Sequence, residues 1–237
     1  MSASVGVVVF PGTNCERDCV NALDALGANT TLVWHEESDL SGLDVVVLPG
    51  GFAHGDYLRT GALARFSPVM DAVRAHAGNG GLVVGVCNGF QILCEAGMLP
   101  GALRKNRGLK FLCKWVEVRV ERTNTPLTAA TEIGRVLRLP VNHFEGSYYC
   151  ADDMLARLQR NGQVLLRYVS NPNGSRDAIA GIMSEEANVF GLMPHPERAC
   201  DELLGSTDGA VLLTSILETV DAGRARPDGM QSPVATG

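Results

Sequence analysis

Cys87 stands in the run Leu82-Val83-Val84-Gly85-Val86-Cys87-Asn88-Gly89-Phe90-Gln91, which suits a buried strand turning sharply into a helix with a thiol at the corner. The apolar stretch Leu82 to Val86 fits a parallel strand, Gly85 and Gly89 remove Cβ atoms where the backbone doubles back, and Ile92-Leu93 begins an apolar helical face. At such a corner the unpaired N–H groups and the dipole of the helix stabilise negative charge on sulfur, which is the chemistry of a nucleophile. A free cysteine is more often a small buried hydrophobe, and this chain has seven. The flanking glycines are what set Cys87 apart.

A nucleophile needs a base, and the comparable cluster is Gly191-Leu192-Met193-Pro194-His195-Pro196-Glu197. Proline after His195 favours an extended backbone, in which residues two apart share a face, so His195 and Glu197 are expected to point the same way. The carboxylate then holds the imidazole in one tautomer, giving nucleophile, base and orienter whatever their order in the chain. A hydrogen-bonded core histidine and a solvated glutamate would explain the two residues separately. Beside a strand-like Val189 to Met193, between prolines and with an elbow elsewhere, the pair reads as catalytic.

Acyl transfer also needs fixed N–H donors where negative charge develops. The loop Pro49-Gly50-Gly51-Phe52-Ala53-His54-Gly55-Asp56 follows an apolar strand, and its paired glycines let the backbone approach a ligand. Alone it would be a plain glycine turn. Beside the thiol, the Gly51 and Asn88 N–H groups form the expected oxyanion hole.

The elements that must hold these residues alternate. Val5 to Phe10, Thr30 to Trp34 and Val45 to Leu48 read as strands, Arg17 to Leu26 as a helix stopped by Gly27, and Ala62 to Ala77 as helical with a break at Ser67-Pro68. Beyond Gly97 come shorter strands at Val116 to Val120, Val136 to Leu139, Val164 to Val169, Ile179 to Met183 and Val189 to Met193, with Asn171 to Ser175 as dense turn chemistry and Ser184 to Asn188 as a hairpin connection. Asp208 to Ala222 closes with a helix. The expected fold is α/β, a mostly parallel central sheet flanked by helices with additional antiparallel strands in the C-terminal half, and ligands beyond the carboxyl ends of the strands. Residues 1–223 are expected to form a single domain, and 224–237 a disordered tail.

Composition narrows the partners. With 237 residues, 46% hydrophobic and 19% charged, the chain supports one large globular domain. A formal net charge of −6 and no basic cluster argue against nucleic acid or an anionic membrane. No stretch approaches a span of about 20 apolar residues, and Met1 to Ser4 lead straight into a strand, so a cytoplasmic protein is expected. The odd cysteine count and the absence of any C-x-x-C pair agree, predicting neither disulfides nor a metal. Cys15 and Cys19, four apart, are given a packing role.

The elbow and the His195-Pro196-Glu197 segment resemble the class I, triad-type glutamine amidotransferases. More closely, Phe10-Pro11-Gly12-Thr13-Asn14-Cys15, Leu48-Pro49-Gly50-Gly51-Phe52 with Gly55-Asp56-Tyr57-Leu58-Arg59, Asn171 to Ser175 and Gly191 to Arg198 are similar to the family of glutaminase subunits of phosphoribosylformylglycinamidine synthase, over about Val5 to Leu217. The resemblance implies that Cys87 attacks the side-chain amide of glutamine, His195 moves the protons, Glu197 orients His195, and Gly51 and Asn88 hold the oxyanion. It implies Gly50, Gln91 and His143 as glutamine contacts; within Pro140 to Gly146 the family commonly has glycine after the histidine, where this chain has Phe144. A large ATP-dependent synthetase subunit, often with a small third subunit, receives the ammonia and converts formylglycinamide ribonucleotide to formylglycinamidine ribonucleotide in purine biosynthesis. This chain has no phosphate-binding G-x-x-x-x-G-K-[ST] loop and no dinucleotide fingerprint, so no cofactor is expected in it, and ATP and magnesium belong to the partner. Two other readings stay open: a cysteine hydrolase or chaperone-like protein sharing the elbow, usually with histidine after the nucleophile where this chain has Asn88, and a noncatalytic module with Cys87 as a sensor thiol.

Overall fold

Runs of valine and leucine that cannot turn a polar face to water build the centre of one large sheet. The computed structural model describes residues 2–224, in the order β1 (Ser4–Val9), α1 (Glu16–Ala25), β2 (Asn29–Trp34), β3 (Val45–Leu48), α2 (Val69–Gly78), β4 (Leu82–Val86), α3 (Asn88–Glu95), β5 (Ala102–Arg104), β6 (Leu112–Val120), β7 (Val136–His143), β8 (Ser147–Tyr149), α4 (Asp152–Arg160), β9 (Val164–Tyr168), β10 (Ile179–Met183), β11 (Val189–Leu192) and α5 (Asp208–Arg224). Nine strands form a mixed sheet, β2-β1-β3-β4-β11-β10-β9-β6-β7, and β5 pairs with β8 separately. The first five in that order are mutually parallel. From β11 onward every pairing is antiparallel.

The α/β architecture is therefore as expected, with the antiparallel strands continuing the parallel sheet rather than standing apart. Strands β3 and β11 are buried throughout, as is β4 apart from Leu82, which is why they are continuous apolar runs. Because β4 lies between β3 and β11, the loops leaving the carboxyl ends of these strands are neighbours. Those loops begin at Pro49, Cys87 and Met193.

Several elements exceed their sequence signal. β7 runs on through Pro140, Asn142 and His143; it is the edge strand, where proline's missing donor costs no ladder bond, and its burial alternates, so no continuous apolar run marks it. α4, β5 and β8 were not expected at all. α4 buries only Leu158 fully, and its charges follow the helix dipole, Asp152 and Asp153 first and Arg157 and Arg160 last. The anticipated break at Ser67-Pro68 separates a single helical turn at 64–66 from α2. The anticipated tail lies outside the described residues apart from Arg224, the last residue of α5.

Candidate active site

Cys87 joins β4 to α3 at φ 51° and ψ −104°, a backbone region that costs a side-chain-bearing residue about 1–3 kcal/mol. The turn closes because glycines stand where side chains would collide: a Cβ on Gly89 would lie 1.9 Å from the Leu48 carbonyl oxygen, and one on Gly85 2.6 Å from Leu93 Cδ1. The Cys87 N–H donates to the Leu192 carbonyl at 2.8 Å, tying the elbow to β11. Its thiol faces the Asn142 carbonyl on β7 at 3.7 Å. The nucleophile candidate is thus held by strands from both halves of the sheet.

His195 and Glu197 do meet, but not along an extended segment: His195 is extended at φ −100° and ψ 93°, and Pro196–Arg198 then form a single 3₁₀ turn that brings the carboxylate back to the ring. The His195 N–H donates to the Pro140 carbonyl at 2.9 Å, which seats the base against β7. Its ring Nδ1 lies 2.6 Å from Glu197 Oε1, and both side chains are 1% exposed. A carboxylate there makes Nδ1 the protonated nitrogen and leaves Nε2, which makes no hydrogen bond, as the free base. Burial opposes the imidazolium, but the charges of Glu197 and Cys87 outweigh it and hold His195 well above its ordinary range, so a proton that Nε2 takes from the thiol is retained as an imidazolium beside the thiolate.

Cys15 does more than pack. Its sulfur accepts from Arg198 Nη2 at 3.1 Å, while Arg198 Nε donates to Asp18 at 2.9 Å. Cys15, His195 and Glu197 bring one potential ligand atom each to within 4.8 Å of one another. Since the imidazole and carboxylate already bind each other and a guanidinium faces the sulfur, the cluster braces the triad rather than cradling a cation. Gly50 fits the same brace: a Cβ there would lie 2.7 Å from His195 Cε1 and 3.0 Å from Cys15 Sγ. Nothing in the spacing of Cys15 in the sequence signals this position.

A cavity of about 220 Å³ opens onto the thiol, lined by Gly51, Phe52, Asp56, Thr60, Cys87, Gln91, Asn142, His143, Phe144 and Glu145. Of the anticipated substrate contacts, Gln91 and His143 line it with Gly51, whereas Gly50 and Asn88 lie just behind. A larger groove of about 650 Å³ reaches Glu197 and Arg198 but not Cys87, so the smaller cavity, which Cys87 lines, is the candidate reaction chamber. Both ends of the Gln91 amide are engaged, Nε2 donating to the Glu145 carbonyl at 2.5 Å and Oε1 accepting from Asn88 Nδ2 at 2.8 Å. The residue therefore ties the β7–β8 loop to the elbow helix. Asn106 braces that loop by donating to the His143 carbonyl and accepting from the Gly146 N–H.

His143 is buried with both ring nitrogens unpartnered. Burial, then the neighbouring charge of His195, pushes it down to about 4, so it is a neutral ring at physiological pH. Asp56 is raised to about 6, first by burial and then by Glu145. Neither Asp56 nor Glu145 stood out in the sequence, because the carboxylates meet only through the fold. All seven cysteines are free, and burial pushes the thiols of Cys19, Cys94, Cys150 and Cys200 up. Among the described residues no helix is long and apolar enough to cross a membrane.

Comparison with known proteins places this geometry in a family. The profile of the CobB/CobQ-like glutamine amidotransferase domain matches residues 2–209. A phosphoribosylformylglycinamidine synthase subunit PurQ from Rubrobacter xylanophilus is 59% identical over 213 residues, covering 90% of this chain and 97% of the relative. The subunit of the same name from Acaryochloris marina is 55% identical over 227 residues, covering 92% and 97%. A chain in the structure of PurLQS from Thermotoga maritima superposes with a TM-score of 0.87 at 44% identity, over 93% of this chain and 100% of that one. The chain belongs to the glutamine amidotransferases, in the family of the phosphoribosylformylglycinamidine synthase subunits PurQ.

Proposed function

We propose that this chain, acting through one domain over residues 1–223, hydrolyses glutamine to glutamate and ammonia and passes the ammonia to an ATP-dependent synthetase partner that makes formylglycinamidine ribonucleotide. The observation that carries the reading is a cysteine on strained backbone whose thiol opens onto a cavity beside a buried His–Glu pair. Cys87 Sγ attacks the side-chain carbonyl carbon of glutamine while His195 Nε2 takes the thiol proton. Charge gathers on the carbonyl oxygen, toward the Gly51 and Asn88 N–H groups. The tetrahedral adduct collapses as the imidazolium protonates the leaving nitrogen; ammonia departs and a γ-glutamyl thioester remains. Water, deprotonated by His195, then attacks the thioester, releases glutamate and restores the thiol. Glu197 balances the imidazolium in both halves.

Relatives that are subunits of a synthase, and a structural neighbour from PurLQS, support a synthetase partner; a small third subunit completes the proposed complex. ATP and magnesium act on that partner in the cytoplasm, and this chain carries neither. Tyr57 and Leu58 are 73% and 87% exposed on the loop that also supplies Asp56 to the cavity, an apolar tip suited to docking the partner at the cavity mouth. Docking would fix the glycine-rich Gly50-Gly51 loop, so the free subunit is expected to turn over glutamine slowly. Losing one oxyanion donor costs about 10²–10³ in rate in acyl-transfer enzymes. The test is ammonia release from glutamine with and without the synthetase. A Cys87→Ala complex is expected to lose glutamine-dependent synthesis and keep synthesis from added ammonium; loss of both would overturn the separation of sites.

A further inference from the structure

The chain is acidic as a whole, yet one stretch departs from that and from the expectation of no basic cluster. Between Glu95 and Glu117 there is no carboxylate, while Arg104, Lys105, Arg107, Lys110 and Lys114 stand there. Removing these five cations from the net charge of −6 leaves −11 on the rest of the chain, so the overall figure hides the cluster. All three lysines of the chain lie in this stretch. Elsewhere the cations are arginines, whose planar fork suits paired contacts, and seven of them reach carboxylates of this chain. None of the five makes an ion pair among the described residues.

The loop between β5 and β6 is exposed but fixed. Its anchor is the buried Asn106, whose N–H donates to the Phe144 carbonyl at 2.9 Å and whose Nδ2 donates to the Lys110 and His143 carbonyls at 3.0 Å. The Arg107 N–H donates to the Asn173 carbonyl at 2.8 Å. With the backbone held in this way, all five cationic residues are exposed. Among them Leu109, at φ 49°, is 69% exposed and Phe111 48%. A run of charge alone is ordinarily a solvated face. Apolar side chains held outward among unpaired cations mark a surface that another body covers.

The position of the loop says which body that is. Phe144, whose carbonyl Asn106 holds, lines the candidate reaction chamber, and Lys105 Nζ lies 5.9 Å from the centre of its ring. Thr60 Oγ1 donates to Glu145 Oε2 at 3.2 Å and so ties this rim of the chamber to the loop that carries Tyr57 and Leu58. We propose that the loop from Arg104 to Lys110 is the electrostatic docking element for an acidic face of the synthetase partner. This rests on the synthetase reading above, and it adds the chemistry of the partner's surface and the place where that surface lands. An acidic face is repelled by most of this chain and attracted at one loop, so the encounter is turned with the chamber toward the partner before the apolar contacts form.

The test measures association of the full chain with the synthetase subunit of the same organism at about 0.01 M and about 1 M salt, between which the screening length falls from about 30 Å to about 3 Å. Arg107→Glu with Lys110→Glu is compared with Arg157→Glu and Arg160→Glu at the end of α4, an equal change of charge on equally exposed residues. At low salt the loop variant should associate about 10–100-fold more slowly than wild type and the α4 variant within about threefold of it, while at high salt all three should agree within about twofold. Should thermal melts show the loop variant unfolded, Arg107→Gln with Lys110→Gln removes the charge without reversing it and should slow association in the same direction. Equal slowing in the loop and α4 variants, or none in the loop variant, would overturn the docking element and leave the synthetase reading standing. A mixed-sequence DNA duplex that binds wild type and not the loop variant, with synthetase association unchanged, would assign the loop to nucleic acid instead. A wild-type chain that fails to associate with the synthetase at either salt would overturn the synthetase reading itself.

Discussion

His195 Nδ1 and Glu197 Oε1 meet at 2.6 Å with their side chains all but sealed from solvent, so the imidazole has one hydrogen-bonded orientation and one free nitrogen. His195→Ala is expected to lower glutamine turnover by roughly 10²–10⁴-fold, the usual cost of losing a general base. Glu197→Gln keeps an acceptor oxygen and should cost less. Glu197→Ala strands a buried imidazolium and should also destabilise the fold by about 3–5 kcal/mol. Steady-state rates of the assembled complex and thermal melts of the isolated chain check these; near-wild-type turnover in His195→Ala would require another base.

Cys87 should react with a glutamine-like electrophile ahead of the other six cysteines. Cys113 is exposed but lies on the sheet rather than at the cavity, while Cys19, Cys94, Cys150 and Cys200 are held in the thiol form by burial. Peptide mass spectrometry with and without competing glutamine should find protection confined to Cys87. Labelling that glutamine does not suppress would detach the thiol from the substrate site.

The two ends of α3 give predictions of different size for two glycines. Gly89→Ala drives a Cβ into the Leu48 carbonyl oxygen at 1.9 Å, a backbone contact that cannot relax, and should cost about 3 kcal/mol. That is a fall of about 6–12 °C in Tm for a chain of this size. Gly97, at φ +70° just past α3, has nothing within 4 Å of an added Cβ, so Gly97→Ala should cost only the backbone penalty of about 1–2 kcal/mol. Equal shifts in the two variants would mean that the turn is not closely packed.

Asp56 trades stability for its position. The fold raises it from 3.8 to about 6, so the native state binds the proton more tightly than the unfolded chain does. The contribution of this group to stability is therefore full below pH 4 and lost as pH rises through about 6. Removing the charge should then stabilise the protein at pH 8 and not at pH 4. Solvent screening of this half-buried group leaves about 1 kcal/mol, or a rise of about 2–4 °C in Tm for Asp56→Asn at pH 8. Identical shifts at the two pH values would remove the electrostatic account.

The sequence makes legible what is continuous along the chain. β4, β11 and the elbow stand out because strands buried on both faces are unbroken apolar runs and the turn needs its glycines. His195 and Glu197 are readable as a pair from their closeness in sequence and the prolines around them, although a 3₁₀ turn at Pro196–Arg198 rather than an extended run brings them together. What escapes is contact between distant segments. Glu145 meets Thr60 across 85 positions, and Cys15 meets Arg198 across 183; no periodicity encodes either. β7 is half-legible for a related reason, since Asn142 and His143 line the cavity and Arg138 faces outward, and these polar residues interrupt the apolar pattern.

The placement of the triad on β4 and after β11, braced by an Arg198–Asp18 pair 180 positions apart, also governs when chemistry begins. At translation rates of roughly 5–20 residues per second, the codon for Cys87 is read about 5–20 s before that for His195. Throughout that interval the nascent thiol has no base, and for about the first half of it no β7 carbonyl to face it. Amide cleavage is thus expected to start only once the last strand has slotted between β4 and β10.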